Sequence, residues 1–105
     1  MPLLDMVFLG MGEEGHVASL FPAAPEPVNA AVYRAVVTPK PPPRRVTLDY
    51  GPLMAARQVW VLVSGAGKEQ ALKNSLASSL HTPLGRVLAG RTHTKVLTDL
   101  PLISP

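Results

Sequence analysis

The stretch LLDMVFLGMGEEG, residues 3–15, decides the fold. Its first seven residues, Leu3 to Leu9, are apolar except for Asp5, and Gly10 follows them. A short, continuous apolar run that ends at a glycine is typical of a strand buried on both faces, as in a parallel sheet. The glycine-rich turn at 10–15 then follows the carboxyl end of this strand, which is where open α/β sheets bind their ligands.

Strand and helix patterns alternate through the rest of the chain. Strands are predicted at 30–37, 45–48, 58–63 and 94–98, with helices at 50–57, 68–80 and 83–88 and a single helical turn at 16–20. The alternation predicts an α/β fold, with a parallel or mixed sheet flanked by helices and right-handed crossovers. In the longest helix, leucines recur every fourth residue. The predicted core includes Leu53, Met54, Ala56, Trp60, Leu72, Leu76 and Leu80.

The length limits the chain to one small domain, since it has 105 residues and a mass of 11.2 kDa. Its first strand starts almost at Met1. A central parallel strand needs neighbouring strands and covering helices on both sides. We therefore expect residues 1–105 to be a single partial domain, the C-terminal part of a larger α/β domain. We also expect the isolated chain to be weakly stable, or to self-associate through its uncovered sheet.

The composition excludes several classes of protein. With 47% hydrophobic and 16% charged residues it is typical of a globular domain. The net charge of +3 is scattered, and the longest basic run is Arg44-Arg45, which argues against a nucleic-acid partner. The absence of cysteine excludes disulfides and a thiol nucleophile and fits a reducing compartment, so a cytoplasmic location is expected. No basic signal region and no run of about 18 apolar residues occurs, so no membrane association is expected.

The string GMGEEG at 10–15 fits three interpretations. It matches GxGxxG, the dinucleotide fingerprint, but Pro22 leaves room for only about two helical turns after it, and no acidic residue ends the second strand. It is otherwise a tight backbone turn without a further role. In the third interpretation His16, which follows the turn at once and lies beside Glu14, acts as a general base near neutral pH.

The longer string GMGEEGHVASLFP, residues 10–22, resembles the GMGxDGHxASLFP signature of the 6-phosphogluconolactonases, which belong to the glucosamine/galactosamine-6-phosphate isomerase superfamily. Further resemblances follow in the same order: a proline-rich loop and an RVTL segment at 39–48, a helix-to-strand step at 55–63, GAGK at 65–68, and closing segments at 83–84 and 99. The resemblance spans essentially the whole chain. It implies the C-terminal half of a doubly wound, NagB/Rossmann-like domain, without the family's N-terminal phosphate loop.

The resemblance implies a function and a set of site residues. The reaction would be hydrolysis of 6-phospho-D-glucono-1,5-lactone to 6-phosphogluconate, in the oxidative pentose phosphate pathway, with no cofactor or metal. His16 would be the general base that activates water. Glu14, which replaces the family's aspartate, would orient His16 or contact sugar hydroxyls. Substrate contacts would come from Gly10, Gly12, Gly15, Ser19, Arg45 and Lys68.

The two cations are candidate anion contacts for different reasons. Lys68 opens the longest predicted helix, where the helix dipole also favours an anion. Arg45 resembles the family's arginine before the VTL segment, which implies bidentate binding of a phosphate, with its neighbour Arg44 as the alternative. His81 and His93 are assigned no role.

Two other functions remain open at the level of sequence. A glucosamine-6-phosphate deaminase usually continues after the corresponding histidine with Ala-Phe-Asn-Glu, whereas this chain continues with ASLFP at 18–22, which favours the lactonase. The second alternative is a non-catalytic remnant that binds sugar phosphates or associates with another chain.

Overall fold

The computed structural model describes residues 3–22, 32–77 and 82–100 of the chain. In chain order the elements are β1 (Met6–Gly10), β2 (Tyr33–Val37), β3 (Arg44–Leu48), α1 (Tyr50–Ala55), β4 (Gln58–Val63), α2 (Glu69–Leu76), α3 (Pro83–Ala89) and β5 (Lys95–Thr98), with a 3₁₀ turn at Ala66–Lys68 before α2. The strand predicted at 58–63 has the bounds of β4. The other predicted strands, and the helices predicted at 50–57, 68–80 and 83–88, are present with somewhat different ends. Residues 30–31 and 78–80 of the predicted ranges lie outside the described residues.

Three of the strands form a parallel sheet in the order β1-β4-β5. Met6 pairs with Gln58 at one end of β1, and Gly10 pairs with Leu62 at the other. On the far side of β4, Val61 pairs with Val96 of β5. The predicted α/β class with a parallel sheet is therefore confirmed.

In the part of the chain that the structure describes, the helices cover one face of this sheet. Alternate strand residues, among them Val7, Val59 and Val61, are buried against Leu72 and Leu84 of the helices. The opposite face is open: Phe8 is 63% exposed, and Leu62 and Leu97 are both more than 40% exposed. The expectation that β1 is buried on both faces is therefore wrong for the described residues, because all the helices that pack on the sheet lie on one side of it.

Three residues of the predicted core, Met54, Trp60 and Leu76, do not lie in it, and Met54 is only half-buried. Trp60 is on the open face of the sheet and is only half-buried, with the edge of Phe8 and the ammonium group of Lys95 against its ring. Leu76 is 43% exposed although Leu72 is fully buried, because a four-residue spacing drifts by about 40° around a helix. Ser75 is buried in its place and hydrogen bonds to Thr82. Leu80 lies outside the described residues.

The strands β2 and β3 form a separate antiparallel hairpin. Parallel pairing of these consecutive strands is excluded, since residues 38–43 are too few for a crossover connection. The loop is fixed from within: the Thr38 N–H donates to the Pro43 carbonyl at 2.7 Å, and the Thr38 hydroxyl donates to the Lys40 carbonyl at 2.8 Å.

The segment at 16–20 is not the predicted helical turn. Val17 instead forms isolated β-bridges with Met11 and with Leu20, and the Leu20 N–H donates to the Val17 carbonyl at 2.9 Å. Ala18 has φ of +51°, which a right-handed helical turn does not allow. Val17 and Leu20 are buried, so burial of these side chains stabilises the turn conformation over a helix.

Side-chain caps fix where two helices begin. Asp49 Oδ1 accepts the Tyr50 N–H at 2.8 Å at the start of α1. Thr82 Oγ1 accepts the Gly85 N–H at 3.0 Å at the start of α3, where Pro83 occupies the first helical position. The N-terminus of α3 also contacts the glycine turn, since the Leu84 N–H donates to the Gly15 carbonyl.

Candidate active site

The candidate site lies at the carboxyl edge of the parallel sheet. The glycine turn at 10–15 follows β1, and the turn at 64–68 follows the neighbouring strand β4, so parallel pairing brings the two turns together. They are in contact, because a Cβ atom on Gly67 would lie 3.1 Å from Glu13 Oε1. The hairpin loop at 38–43 completes the site from a third side, through Lys40.

Two of the glycines in the turn are required by space. A Cβ atom on Gly12 would overlap the His16 ring and lie 2.7 Å from Glu14 Oε1. Gly15 has φ of +87°, and a Cβ atom there would lie 2.8 Å from the Thr82 side chain. Around Gly10, in contrast, no atom of the described residues other than its chain neighbours lies within 4 Å of such a Cβ position, so this residue borders open space.

The backbone of the turn uses its own donors. The Gly12 N–H donates to the His16 carbonyl, and the Gly15 N–H donates to the Gly12 carbonyl, both at 2.9 Å. These two amides are therefore committed within the turn. The glycines at 12 and 15 shape the site by letting the backbone and the His16 ring approach each other.

His16 and Glu14 form a direct pair. Nδ1 of the imidazole hydrogen bonds to Oε1 of the carboxylate. A neutral imidazole that donates its Nδ1 proton to a carboxylate carries a lone pair on Nε2, which is the form that accepts a proton. The ring also stacks on Phe21, with the ring centres 4.2 Å apart, so its plane is fixed as well as its hydrogen bond.

The surroundings favour the neutral form of His16. Burial lowers the pKa of the imidazole below its usual value, and the positive charges of Lys40, Arg45 and Lys68 lower that pKa further. Below this pKa the ring is protonated and has no lone pair to accept a proton; above it the ring is neutral. The lowered pKa therefore keeps the imidazole in its basic form at neutral pH.

Arg45 lies beside the site with most of its donors engaged. Its Nε donates to the Pro42 carbonyl at 2.8 Å, and its Nη2 donates to the Lys40 and Pro41 carbonyls at 3.0 and 3.1 Å. Its Nη1 reaches the Ser19 hydroxyl at 3.4 Å. The guanidinium therefore holds the hairpin loop to the segment after His16. The neighbouring Arg44 is exposed and alternates to the other face of β3.

Ser19 and Lys68 complete the set of expected site residues. The Ser19 N–H donates to Thr47 Oγ1 at 3.0 Å, which ties the segment after His16 to β3. Lys68 ends the 3₁₀ turn before α2, and its charge acts on His16 from the β4 side. The structure thus brings together His16, Glu14, Ser19, Arg45 and Lys68 next to the glycine turn.

Two residues that sequence analysis did not assign to the site also belong to it. Phe21 stacks on His16, and Lys40 Nζ lies 3.2 Å from Glu14 Oε2. Both fall within the motifs quoted above, but spacing alone does not show that the hairpin folds back onto the turn. His93 is exposed in the segment before β5, and His81 lies outside the described residues.

Over the described ranges, no group of three or more His, Asp or Glu side chains is arranged to hold a metal ion. Within the same ranges, no helix has the length and apolar character needed to cross a bilayer.

Comparison with known proteins gives one consistent family. The sequence model described as glucosamine-6-phosphate isomerases/6-phosphogluconolactonase matches residues 1–97. The 6-phosphogluconolactonase of Mycobacterium tuberculosis is 40% identical over 102 residues, which cover 93% of this chain and 41% of the relative. The human 6-phosphogluconolactonase is 40% identical over 95 residues, covering 89% of this chain and 36% of the relative.

A solved structure agrees with these sequences. The 6-phosphogluconolactonase of Trypanosoma brucei superposes with a TM-score of 0.76 at 35% identity, over 92% of this chain and 40% of that one. The chain therefore spans about two fifths of the length of the relatives it matches.

Proposed function

The chain belongs to the family of glucosamine-6-phosphate isomerases and 6-phosphogluconolactonases, and from this premise we propose that it carries the water-activating part of a lactone hydrolase. The proposed substrate is 6-phospho-D-glucono-1,5-lactone and the product 6-phosphogluconate. The relatives named 6-phosphogluconolactonase support this choice. One structural observation carries it: the His16–Glu14 pair, which puts the lone pair of a neutral imidazole on Nε2 at the carboxyl edge of the sheet.

In the proposed reaction, His16 Nε2 takes a proton from water as the water oxygen attacks the lactone carbonyl carbon. The C–O bond to the ring oxygen then breaks, and the imidazolium returns the proton to that oxygen. Glu14 accepts the hydrogen bond from the Nδ1–H group of His16, and its negative charge stabilises the positive charge that His16 carries between the two steps. The open space at Gly10 is where the sugar would approach the turn.

Lys68 is the proposed contact for the anionic part of the substrate. It lies on the β4 side of the site, and its charge acts on His16. Arg45 adds positive charge to the same region. Its Nε and Nη2 groups donate to the carbonyls of Lys40, Pro41 and Pro42. Ser19 would place its hydroxyl at the edge of the substrate pocket, next to Arg45.

A deaminase-like activity is the second candidate within the family, and a non-catalytic sugar-phosphate-binding protein is the third. The segment ASLFP after His16 favours the lactonase over the deaminase. Both alternatives predict that lactone hydrolysis does not exceed the spontaneous rate.

The test is lactone hydrolysis by the purified chain, corrected for spontaneous opening of the lactone, with His16→Ala and His93→Ala assayed beside it. His93 is exposed outside the site, so it is the matched control. We expect His16→Ala to lower turnover by about 10²–10⁴-fold, the usual contribution of a positioned general base, and His93→Ala to leave it unchanged.

Full turnover in His16→Ala would contradict the proposed base. Folded wild-type chain without turnover would favour the non-catalytic alternative for the chain by itself. The same two variants in a longer protein that contains this segment would then test the role of His16 independently of whether the 105-residue chain is active alone.

A further inference from the structure

Lys40 occupies a fixed position over the site. Its backbone carbonyl accepts hydrogen bonds from the Thr38 hydroxyl at 2.8 Å and from Arg45 Nη2 at 3.0 Å. These bonds hold the hairpin loop at the residue from which the side chain extends. Lys40 Nζ then lies 3.2 Å from Glu14 Oε2. The loop therefore places the positive charge of Lys40 next to the carboxylate of Glu14, which hydrogen bonds to His16.

The two oxygens of Glu14 have different partners. Oε1 hydrogen bonds to Nδ1 of His16, and Oε2 pairs with the ammonium group of Lys40. With one oxygen on each partner, rotation of the carboxylate about its own axis would break one contact or both. Lys40 therefore restrains the orientation of Glu14, and Glu14 restrains the imidazole.

The ion pair contributes little to the stability of the fold. Lys40 is 47% exposed and Glu14 34% exposed, and pairs this open to solvent are worth about 0–1 kcal/mol. The contact instead affects His16, because the positive charge of Lys40 lowers the pKa of the imidazole. The charged groups that act on the imidazole are Glu14 from its own turn, Lys40 from the hairpin loop, Arg45 from β3 and Lys68 from the 3₁₀ turn.

We propose that Lys40 is a positioning residue that acts through Glu14 to hold His16 in its basic form. The inference rests on the proposed function only for its catalytic consequence, because the state of the imidazole is measurable without turnover. Lys40 is not required to touch the substrate in this role.

The direction of the effect follows from the charges. Removing the positive charge of Lys40 leaves the negative charge of Glu14 uncompensated beside His16, so the pKa of the imidazole rises. Glu14→Gln has the opposite sign, since it removes the negative charge and leaves the cations, so the pKa falls. A purely structural role of Lys40 predicts no such opposition between the two variants.

The experiment is a titration of the His16 ring protons by NMR in the 105-residue chain at low ionic strength. His16→Asn identifies the His16 signal, and the exposed His93 serves as an internal reference. Lys40→Met is compared with Lys73→Met, a closely matched control. Lys73 is 46% exposed and also lies 3.2 Å from a glutamate, but in α2.

We expect Lys40→Met to raise the His16 midpoint by about half a pH unit, a factor of about three in proton affinity, as for a unit charge several ångströms away near water. Lys73→Met should move it by less than about 0.1 unit, and Lys40→Arg should restore it. Equal midpoints in Lys40→Met and Lys73→Met would overturn the proposal, as would shifts of the same sign in Lys40→Met and Glu14→Gln.

Turnover separates this proposal from the proposed function. In an active form, Lys40→Met should move the acid limb of kcat/KM to higher pH. If His16→Ala retains full turnover while the NMR shift is present, the proposed base is wrong and the role of Lys40 in setting the imidazole stands.

Discussion

Gly12 shows how a single missing side chain makes room for the His16–Glu14 pair. Its Cβ position coincides with the space that the imidazole occupies. The collision would fall on side-chain atoms of His16 and not on backbone, so an added methyl group would push the ring off Phe21 and Glu14 rather than unfold the turn. We therefore expect a substitution at Gly12 to displace the His16 ring and to change the free energy of unfolding only slightly.

We expect Gly12→Ala to separate the imidazole from Glu14, and so to lower any turnover by at least about 10²-fold, the contribution of a positioned base. The unfolding free energy should fall by no more than about 1 kcal/mol. Gly10→Ala is the steric control for stability, since its Cβ position meets no other described residue within 4 Å apart from the chain neighbours. Chemical denaturation and the His16 ring shifts check both statements. A large loss of stability with unchanged ring shifts would contradict them.

Arg91 shows how one side chain joins elements that are far apart in sequence. Its Nη1 donates to the Leu53 and Met54 carbonyls at 3.2 and 3.0 Å, at the C-terminal end of α1. Its Nη2 donates to the His93 carbonyl, and its Nε donates to Thr94 Oγ1. Because the carbonyls at a helix C-terminus lack partners within the helix, the guanidinium satisfies them and ties α1 to the segment before β5.

Arg91→Lys should lower the free energy of unfolding by about 2–3 kcal/mol, because an ammonium group cannot reach carbonyls on both sides and leaves some of them unsatisfied. Arg57→Lys is the control: Arg57 is 66% exposed, and its pair with Asp5 is open to solvent, so a change within about 0.5 kcal/mol is expected. Thermal and denaturant unfolding of both variants measures the difference. Equal stabilities would mean that the Arg91 contacts are not needed by the fold.

Sequence patterns predicted the positions of strands and helices along the chain better than they predicted which strands pair and which side chains meet. QVWVLV is a continuous run of β-forming residues, and its ends were predicted correctly as β4. The pairing of β2 with β3 was not predicted, since strand propensity does not identify a neighbour. Arg91 and Lys40 were missed for a related reason: a hydrogen bond to a backbone carbonyl, or a pair across a hairpin, leaves no periodic signal in the sequence.

At the scale of the whole molecule, the described residues form a sheet with helices on one face and an apolar opposite face. Phe8 and Trp60 meet edge to face there, and Leu62 and Leu97 extend the patch along β4 and β5. The relatives that this chain matches are more than twice its length. Exposed apolar patches of this kind favour association with other protein surfaces.

The isolated chain is therefore expected to self-associate through this face. Phe8→Gln should shift the monomer–dimer equilibrium towards monomer, as seen by sedimentation at several concentrations. Val37→Gln, on the hairpin and 82% exposed, should not. A wild-type chain that remains monomeric and melts cooperatively at all concentrations would contradict the expectation.

The hairpin loop at 38–43 has a consequence for protein engineering. It meets the glycine turn through Lys40, whereas the apolar side chains that fill the core belong to other segments. A charge that acts on His16 and the side chains that fill the core thus lie in separate parts of the chain. Replacing the loop between β2 and β3 with loops of different charge is therefore expected to change the pKa of His16. The sequences of the helices and of the parallel strands would stay the same.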